Sequence, residues 1–226
     1  MNTNIDELIQ DITLKYPLTC DNIKNSKRQY IPLSGEFQEV FSNPQDKGIW
    51  FIWGTSGSGK SSFTMQLVSE LVKHYKVLYN SKEENPRDDS FFQRMERFGI
   101  TYHNRNFHAV EDNYLELIKR LKQRGSPKVI VIDSAEYFFK GGVLKNGFSE
   151  YLELKERFPN KIFIITGQGT GNRPRSELET SIMFDADMKI SVDAFGATNK
   201  GRKFGKKNLF IIWKERYEEL HGTNEK

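Results

Sequence analysis

Residues 54 to 61 read Gly-Thr-Ser-Gly-Ser-Gly-Lys-Ser, between a bulky apolar run, Ile49-Trp50-Phe51-Ile52-Trp53, and a helix-like segment beginning Ser62-Phe63-Thr64-Met65. This G-x-x-x-x-G-K-S pattern dictates a buried strand, a tight turn and the N-terminus of a helix, in that order. Such a turn aims several backbone N–H groups and the positive end of a helix dipole at one point, where a phosphate is stabilised. Gly54, Gly57 and Gly59 let the backbone approach phosphate oxygens with no Cβ in the way. Thr55, Ser56, Ser58 and Ser62 complete the predicted phosphate-binding set. Lys60 is spaced to reach the β- and γ-phosphates, and the Ser61 hydroxyl to hold Mg²⁺. The expected ligands are therefore a nucleoside triphosphate and Mg²⁺.

The rest of the chain alternates in a way that fits this start. Apolar runs at 49–53, 77–79, 106–110, 128–132 and 161–166 predict buried parallel strands, and segments 61–74, 88–98, 112–124 and 148–157 predict intervening helices. That order implies an α/β fold, a mostly parallel central sheet flanked by helices on both faces. Residues 187–192 and 209–213 alternate in strand fashion around a basic stretch, which predicts a C-terminal antiparallel hairpin extending the sheet. Near the start, Ile5, Leu8, Ile9 and Ile12 have amphipathic helical spacing, followed by a polar stretch from Asp21 to Gln29. The expected division is an N-terminal arm, 1–29, and one domain, 30–226.

Three of the strands deliver polar groups at their C-terminal ends, where open α/β sheets bind ligands. Val129-Ile130-Val131-Ile132 ends in Asp133, a carboxylate suited to the hydration shell of Mg²⁺. Val77-Leu78-Tyr79-Asn80-Ser81 is followed by Glu83 and Glu84, either of which is a candidate to deprotonate an attacking water. Ile162-Phe163-Ile164-Ile165-Thr166 leads to Gln168, an amide able to bond the γ-phosphate or that water. The Gly-rich, basic stretch from Gly169 to Arg175 includes Arg173 and Arg175, and suits a phosphodiester backbone.

Taken in order, these segments resemble the RecA-type ATPase core, with particular similarity to the RadA/Sms recombination proteins and the motor domain of DnaB-type replicative helicases. The similarity runs from about residue 30 to 213, including Asn199-Lys200-Gly201-Arg202-Lys203-Phe204-Gly205, which is similar to a Lys-Asn-Arg-Phe-Gly segment of RadA. The resemblance implies that Glu83 is the general base with Glu84 second, and that Gln168 is the γ-phosphate sensor. It implies that Lys200 and Arg202, on one face of a strand edge, enter a neighbouring subunit's ATP site. A head-to-tail contact of that kind implies a homo-oligomer, a hexameric ring or a filament. It also implies single-stranded DNA as partner, contacted by Arg173 and Arg175 and by Lys140 and Lys145 in the 137–147 segment. A RecA core acting on protein partners instead remains the alternative. A small-molecule kinase would need an arginine-rich lid, and none lies between Asp133 and Gln168.

Composition narrows the field further. A single cysteine, Cys20, excludes a disulfide framework and a paired-cysteine zinc site, and fits a reducing cytoplasm. The opening residues are polar and acidic, so no signal peptide is expected, and no apolar run approaches bilayer length. The net charge of +4 is too mild to imply nucleic acid by itself, but Lys200, Arg202, Lys203, Lys206 and Lys207 fall in one acid-free run.

Overall fold

The computed structural model describes residues 13–103, 105–171, 173–201 and 205–222. The predicted helix at 5–12 and the candidate residue Arg202 lie outside them. Residues 13–29 are exposed, including the short helix α1 (Cys20–Lys24), and burial begins at Ile31.

Helix α2 (Gly35–Phe41) leads to strand β1 (Gly48–Gly54), which runs into the glycine loop and helix α3 (Lys60–Leu71). Then follow β2 (Val77–Ser81), α4 (Asp89–Arg97), β3 (Phe107–Val110), α5 (Tyr114–Leu121) and β4 (Val129–Asp133). Helices α6 (Ala135–Phe138) and α7 (Gly147–Arg157) precede β5 (Ile162–Thr170). The chain continues through β6 (Arg173–Pro174), α8 (Glu177–Asp185), β7 (Met188–Asp193), β8 (Gly196–Asn199), β9 (Leu209–Ile211) and α9 (Lys214–His221).

The strands form one sheet in the order β3-β2-β4-β5-β1-β7-β8-β9. The six strands from β3 to β7 in that order are parallel, β8 and β9 run against their neighbours, and the short β6 pairs antiparallel with β5 off this path. Strand β1 shows why such strands read as unbroken apolar runs. Trp50 and Ile52 face one core with Phe41, Phe63, Leu67 and Phe210, while Ile49, Phe51 and Trp53 face the other with Leu117, Phe139, Tyr151 and Ile182. Both faces are covered, so successive side chains are buried whichever way they point. Each large side chain so buried contributes about 1.5–3 kcal/mol.

The C-terminal strands are antiparallel as expected, but their pairing differs from the simple hairpin. Strand β7 pairs with β8 across a tight turn at Ala194 and Phe195, and β9 pairs with β8 and not with β7. Both turn residues have positive φ, 39° and 61°. Side chains are disfavoured there, so nothing in the local sequence announces the turn. Phe195 is held from outside it: its N–H donates to Ser58 O at 2.8 Å, and its carbonyl accepts from Ile212 N at 2.9 Å. Two further expectations shift. Strand β5 continues through Gln168 to Thr170 and turns back through β6, so 169–175 is largely a paired strand return and not an open loop. Lys200 lies just past the last residue of β8, not within a strand edge.

Candidate functional site

Parallel strands deliver their C-terminal ends to one edge, which is what gathers the site. Gly54 lies opposite Gln168 in the β1–β5 ladder, and Ser81 lies opposite Asp133 in the β2–β4 ladder. A cleft of about 270 Å³ opens there, lined by Thr55, Ser56, Gly57, Gly59, Lys60, Ser61, Ser62, Glu83, Gln168 and Phe195.

The loop's glycines have different jobs. At Gly54 a Cβ would fall 2.2 Å from Val192 O, so this residue lets β1 and β7 close on each other. Gly57 has φ +76° and nothing within 4 Å of where a Cβ would stand, so its missing side chain leaves the cleft clear. Gly59, at φ +98°, caps α3 in the left-handed region, and Lys60 follows as the first helical residue, only 7% exposed. Backbone open to the cleft, a helix N-terminus and a buried lysine lining the cleft together fit the phosphates of a nucleotide.

Glu83 stands at the centre. The peptide N–H groups of Lys82 and Glu83 both donate to Asp133 O, at 2.6 and 3.2 Å, which bends the chain after β2 toward β4. The Glu83 carboxylate then accepts from Ser134 Oγ at 2.6 Å and from Gln168 Nε2 at 3.2 Å, both on Oε1. That arrangement fixes the carboxylate through Oε1, on a residue that lines the cleft. Glu84 points elsewhere: it pairs with Arg94 and accepts from Ser90 Oγ, tying the segment to α4.

Asp133 is 8% exposed and accepts from the Tyr79 hydroxyl at 2.6 Å on Oδ2 and from Thr166 Oγ1 on Oδ1. Burial, then the charge of Asp133, push the Tyr79 hydroxyl well above the ordinary phenol range, so it remains a donor. Each carboxylate oxygen keeps a free lone pair for a metal-bound water. Among the described residues no cluster of three or more His, Cys, Asp or Glu side chains is positioned to hold a metal alone. Ser61 and Asp133 instead fit an ion that keeps several waters and takes phosphate oxygens, the habit of Mg²⁺.

An aromatic recess of about 310 Å³ adjoins the cleft, sharing Ser62 and Phe195 with it and adding Gln66, Arg97, Phe98, Ile212 and Trp213. Phe195 meets Trp213 edge-on, with ring centroids 5.7 Å apart. The residues of this recess escaped the sequence reading because they come from α3, α4 and the C-terminal meander, and meet only in the fold. Ser134 and Glu179 were also missed. Ser176-Glu-Leu-Glu179 carries the Ser-x-x-Glu spacing of a helix start, which could have located α8 and the carboxylate it buries.

Lys60 apart, none of the described basic candidates lines the cleft. Arg173 and Arg175 are exposed on the strand return, and Lys140 is exposed over the Tyr137 ring, 5.1 Å from its centroid. Lys145 is exposed in the turn before α7. Lys200 is exposed, and its N–H donates to Lys189 O, on the stretch that carries the chain away from its own glycine loop.

No protein-family model matches the chain, and no curated protein matches its sequence. Solved structures do. The flagellar accessory protein FlaH of Methanocaldococcus jannaschii superposes with a TM-score of 0.60 at 16% identity, over 81% of this chain and 93% of that one. A KaiC-like protein of Pyrococcus horikoshii superposes with a TM-score of 0.60 at 18% identity, over 82% and 98%. The sheet order, the glycine loop on β1 and these likenesses define a RecA-like P-loop fold. Among the described residues, no helix is long and apolar enough to cross a membrane.

Proposed function

We propose that the chain is a Mg²⁺-dependent ATPase of the RecA, RadA and DnaB type. It hydrolyses ATP between the subunits of a ring or filament and couples hydrolysis to single-stranded DNA. The observation that carries the enzymatic part is the Glu83 carboxylate, held on one oxygen by Ser134 and Gln168 in the lining of the cleft that Lys60 also lines.

Lys60 and the loop N–H groups hold the β- and γ-phosphates, and the aromatic recess takes the base against Phe195 and Trp213. Ser61 and Asp133 would hold Mg²⁺, which would supply charge neutralisation at the phosphates. Glu83 accepts a proton from the water it aligns on the γ-phosphate, and Gln168 moves when that phosphate leaves. Lys200 and Arg202 of an adjacent copy supply positive charge from outside the subunit. Arg173, Arg175, Lys140 and Lys145 contact the strand of DNA.

Steady-state ATP hydrolysis with and without single-stranded DNA, at low and physiological salt, tests this. Stimulation that falls steeply with salt is expected of a phosphate-contacting motor. Hydrolysis indifferent to DNA would favour the second reading, a RecA-core ATPase acting on a protein partner. That reading draws on the likeness to FlaH, described as a flagellar accessory protein.

The base recess gives a separate prediction. Trp213→Ala should weaken nucleotide binding by about ten-fold, since base–aromatic stacking contributes about 1–3 kcal/mol. Trp213 is 46% exposed whereas Trp50 and Trp53 are buried, so its fluorescence should also report binding in the unaltered chain. Unchanged affinity in the variant would remove the base from this recess.

A further inference from the structure

Glu179 is fully buried, yet among the described residues it forms no ion pair. Three donors converge on its carboxylate instead. The N–H and Oγ of Ser176 each donate to Oε2 at 3.1 Å, which is an ordinary helix cap. The N–H of Gln168 donates to Oε1 at 2.7 Å, and a cap does not require that bond. The carbonyl of Gln168 meanwhile accepts from Arg175 N at 2.9 Å. The Gln168 peptide is thus clamped on both sides, by the start of α8 and by the returning strand, while its side chain reaches Glu83 at 3.2 Å. Gly167 makes the approach possible, because a Cβ there would fall 2.9 Å from Glu179 Oε1 and 2.5 Å from the Phe51 ring.

We propose that Glu179 is a positioning residue for hydrolysis, fixing Gln168 so that its amide holds the Glu83 carboxylate aligned on the cleft. The proposal rests on the ATPase reading above. It also makes one buried carboxylate the joint between the Glu83 hydrogen-bond set and the strand return that carries Arg173 and Arg175. Movement of that return pulls on Gln168 O through Arg175 N, and Glu179 resists it through Gln168 N.

Glu179→Gln and Ser176→Ala, compared side by side, separate positioning from capping. A glutamine keeps the shape but has one acceptor oxygen, so it cannot serve both Ser176 and Gln168, and its NH₂ faces a donor. Ser176→Ala removes cap bonds and leaves the Gln168 bond in place. Glu179→Gln should lower kcat about ten-fold or more with nucleotide Kd unchanged, the scale of a slightly misplaced reacting group. Ser176→Ala should lower Tm and leave kcat within about two-fold. Equal effects on kcat in the two variants, or none in either, would make Glu179 only a cap and overturn the proposal. Amide hydrogen exchange gives a readout independent of turnover. In the unaltered chain Gln168 N–H should exchange as slowly as that of mid-strand Ile164, and exchange as fast as exposed Thr170 would overturn the clamp. A chain that shows the clamp but hydrolyses no ATP would sink the ATPase reading and leave the placement of Gln168 standing.

Discussion

Lys60→Ala and Glu83→Gln should each reduce ATP hydrolysis by at least about 10²-fold, and only the first should release the nucleotide. Lys60 is the first residue of α3, buried, and lines the cleft beside the loop. Its loss removes a charge-assisted contact to phosphate in both ground and transition states, so Kd should rise about ten-fold or more. Glu83→Gln keeps the shape and the donors from Ser134 and Gln168 have an acceptor still, but an amide cannot take a proton from water. General-base loss is worth about 10²–10⁴-fold in rate. The variant should therefore hold ATP with near-normal affinity and fail to turn it over. Glu84→Gln is the internal control. It weakens the contacts with Arg94 and Ser90, and should alter the anchoring of α4 far more than kcat. Equilibrium nucleotide binding and single-turnover hydrolysis on the three variants decide the matter. Normal turnover in Glu83→Gln would move the base to another residue.

Gly54→Ala and Gly57→Ala should fail for opposite reasons. At Gly54 the new methyl meets a backbone oxygen, Val192 O, at 2.2 Å, and backbone cannot swing aside as a side chain can. The β1–β7 ladder must open, at about 3 kcal/mol or more, which is a fall in Tm of about 6–12 °C for a chain this long. At Gly57 nothing lies within 4 Å, so the methyl meets no protein atom. The left-handed backbone adds about 1–2 kcal/mol of strain, and the methyl occupies the space the cleft keeps for phosphate. Thermal melts with and without nucleotide should show Gly54→Ala already destabilised, and Gly57→Ala close to the unaltered chain but no longer stabilised by ATP. A normal nucleotide-induced Tm shift in Gly57→Ala would mean that phosphate does not lie against this residue.

The parts of the site that could be read from the sequence are those attached to the ends of parallel strands. Glu83, Asp133 and Gln168 each follow a buried apolar run, and a parallel sheet must bring such ends to the edge where the glycine loop opens. Periodicity carries no information about partners contributed from elsewhere. Ser134 acts through the rotamer it adopts beside Glu83, and Trp213 through a meander whose turn at Ala194 and Phe195 uses positive φ without glycine. The misassigned hairpin has the same origin. The alternation of 187–192 and 209–213 identified two strands, but the pairing was decided by Phe195, whose backbone is bonded to the glycine loop and to Ile212. Helix α8 went unread although its Ser176–Glu179 cap was present, because the Gly-rich basic stretch before it suggested an open loop.

Among the described residues strand β1, which carries the glycine loop, pairs with β5 and β7, so Gly54 waits for Gln168 on one side and Val192 on the other. During synthesis every recognisable nucleotide motif up to Asp133 leaves the ribosome before either flank of that strand exists. Until the last third of the chain emerges, β1 is an unpaired, intensely apolar strand with two open edges, the kind of segment that invites association with other chains. The nucleotide site is thus among the first features to be encoded and among the last to be built. Folding yield, more than the chemistry of the loop, should be what slows this protein's maturation.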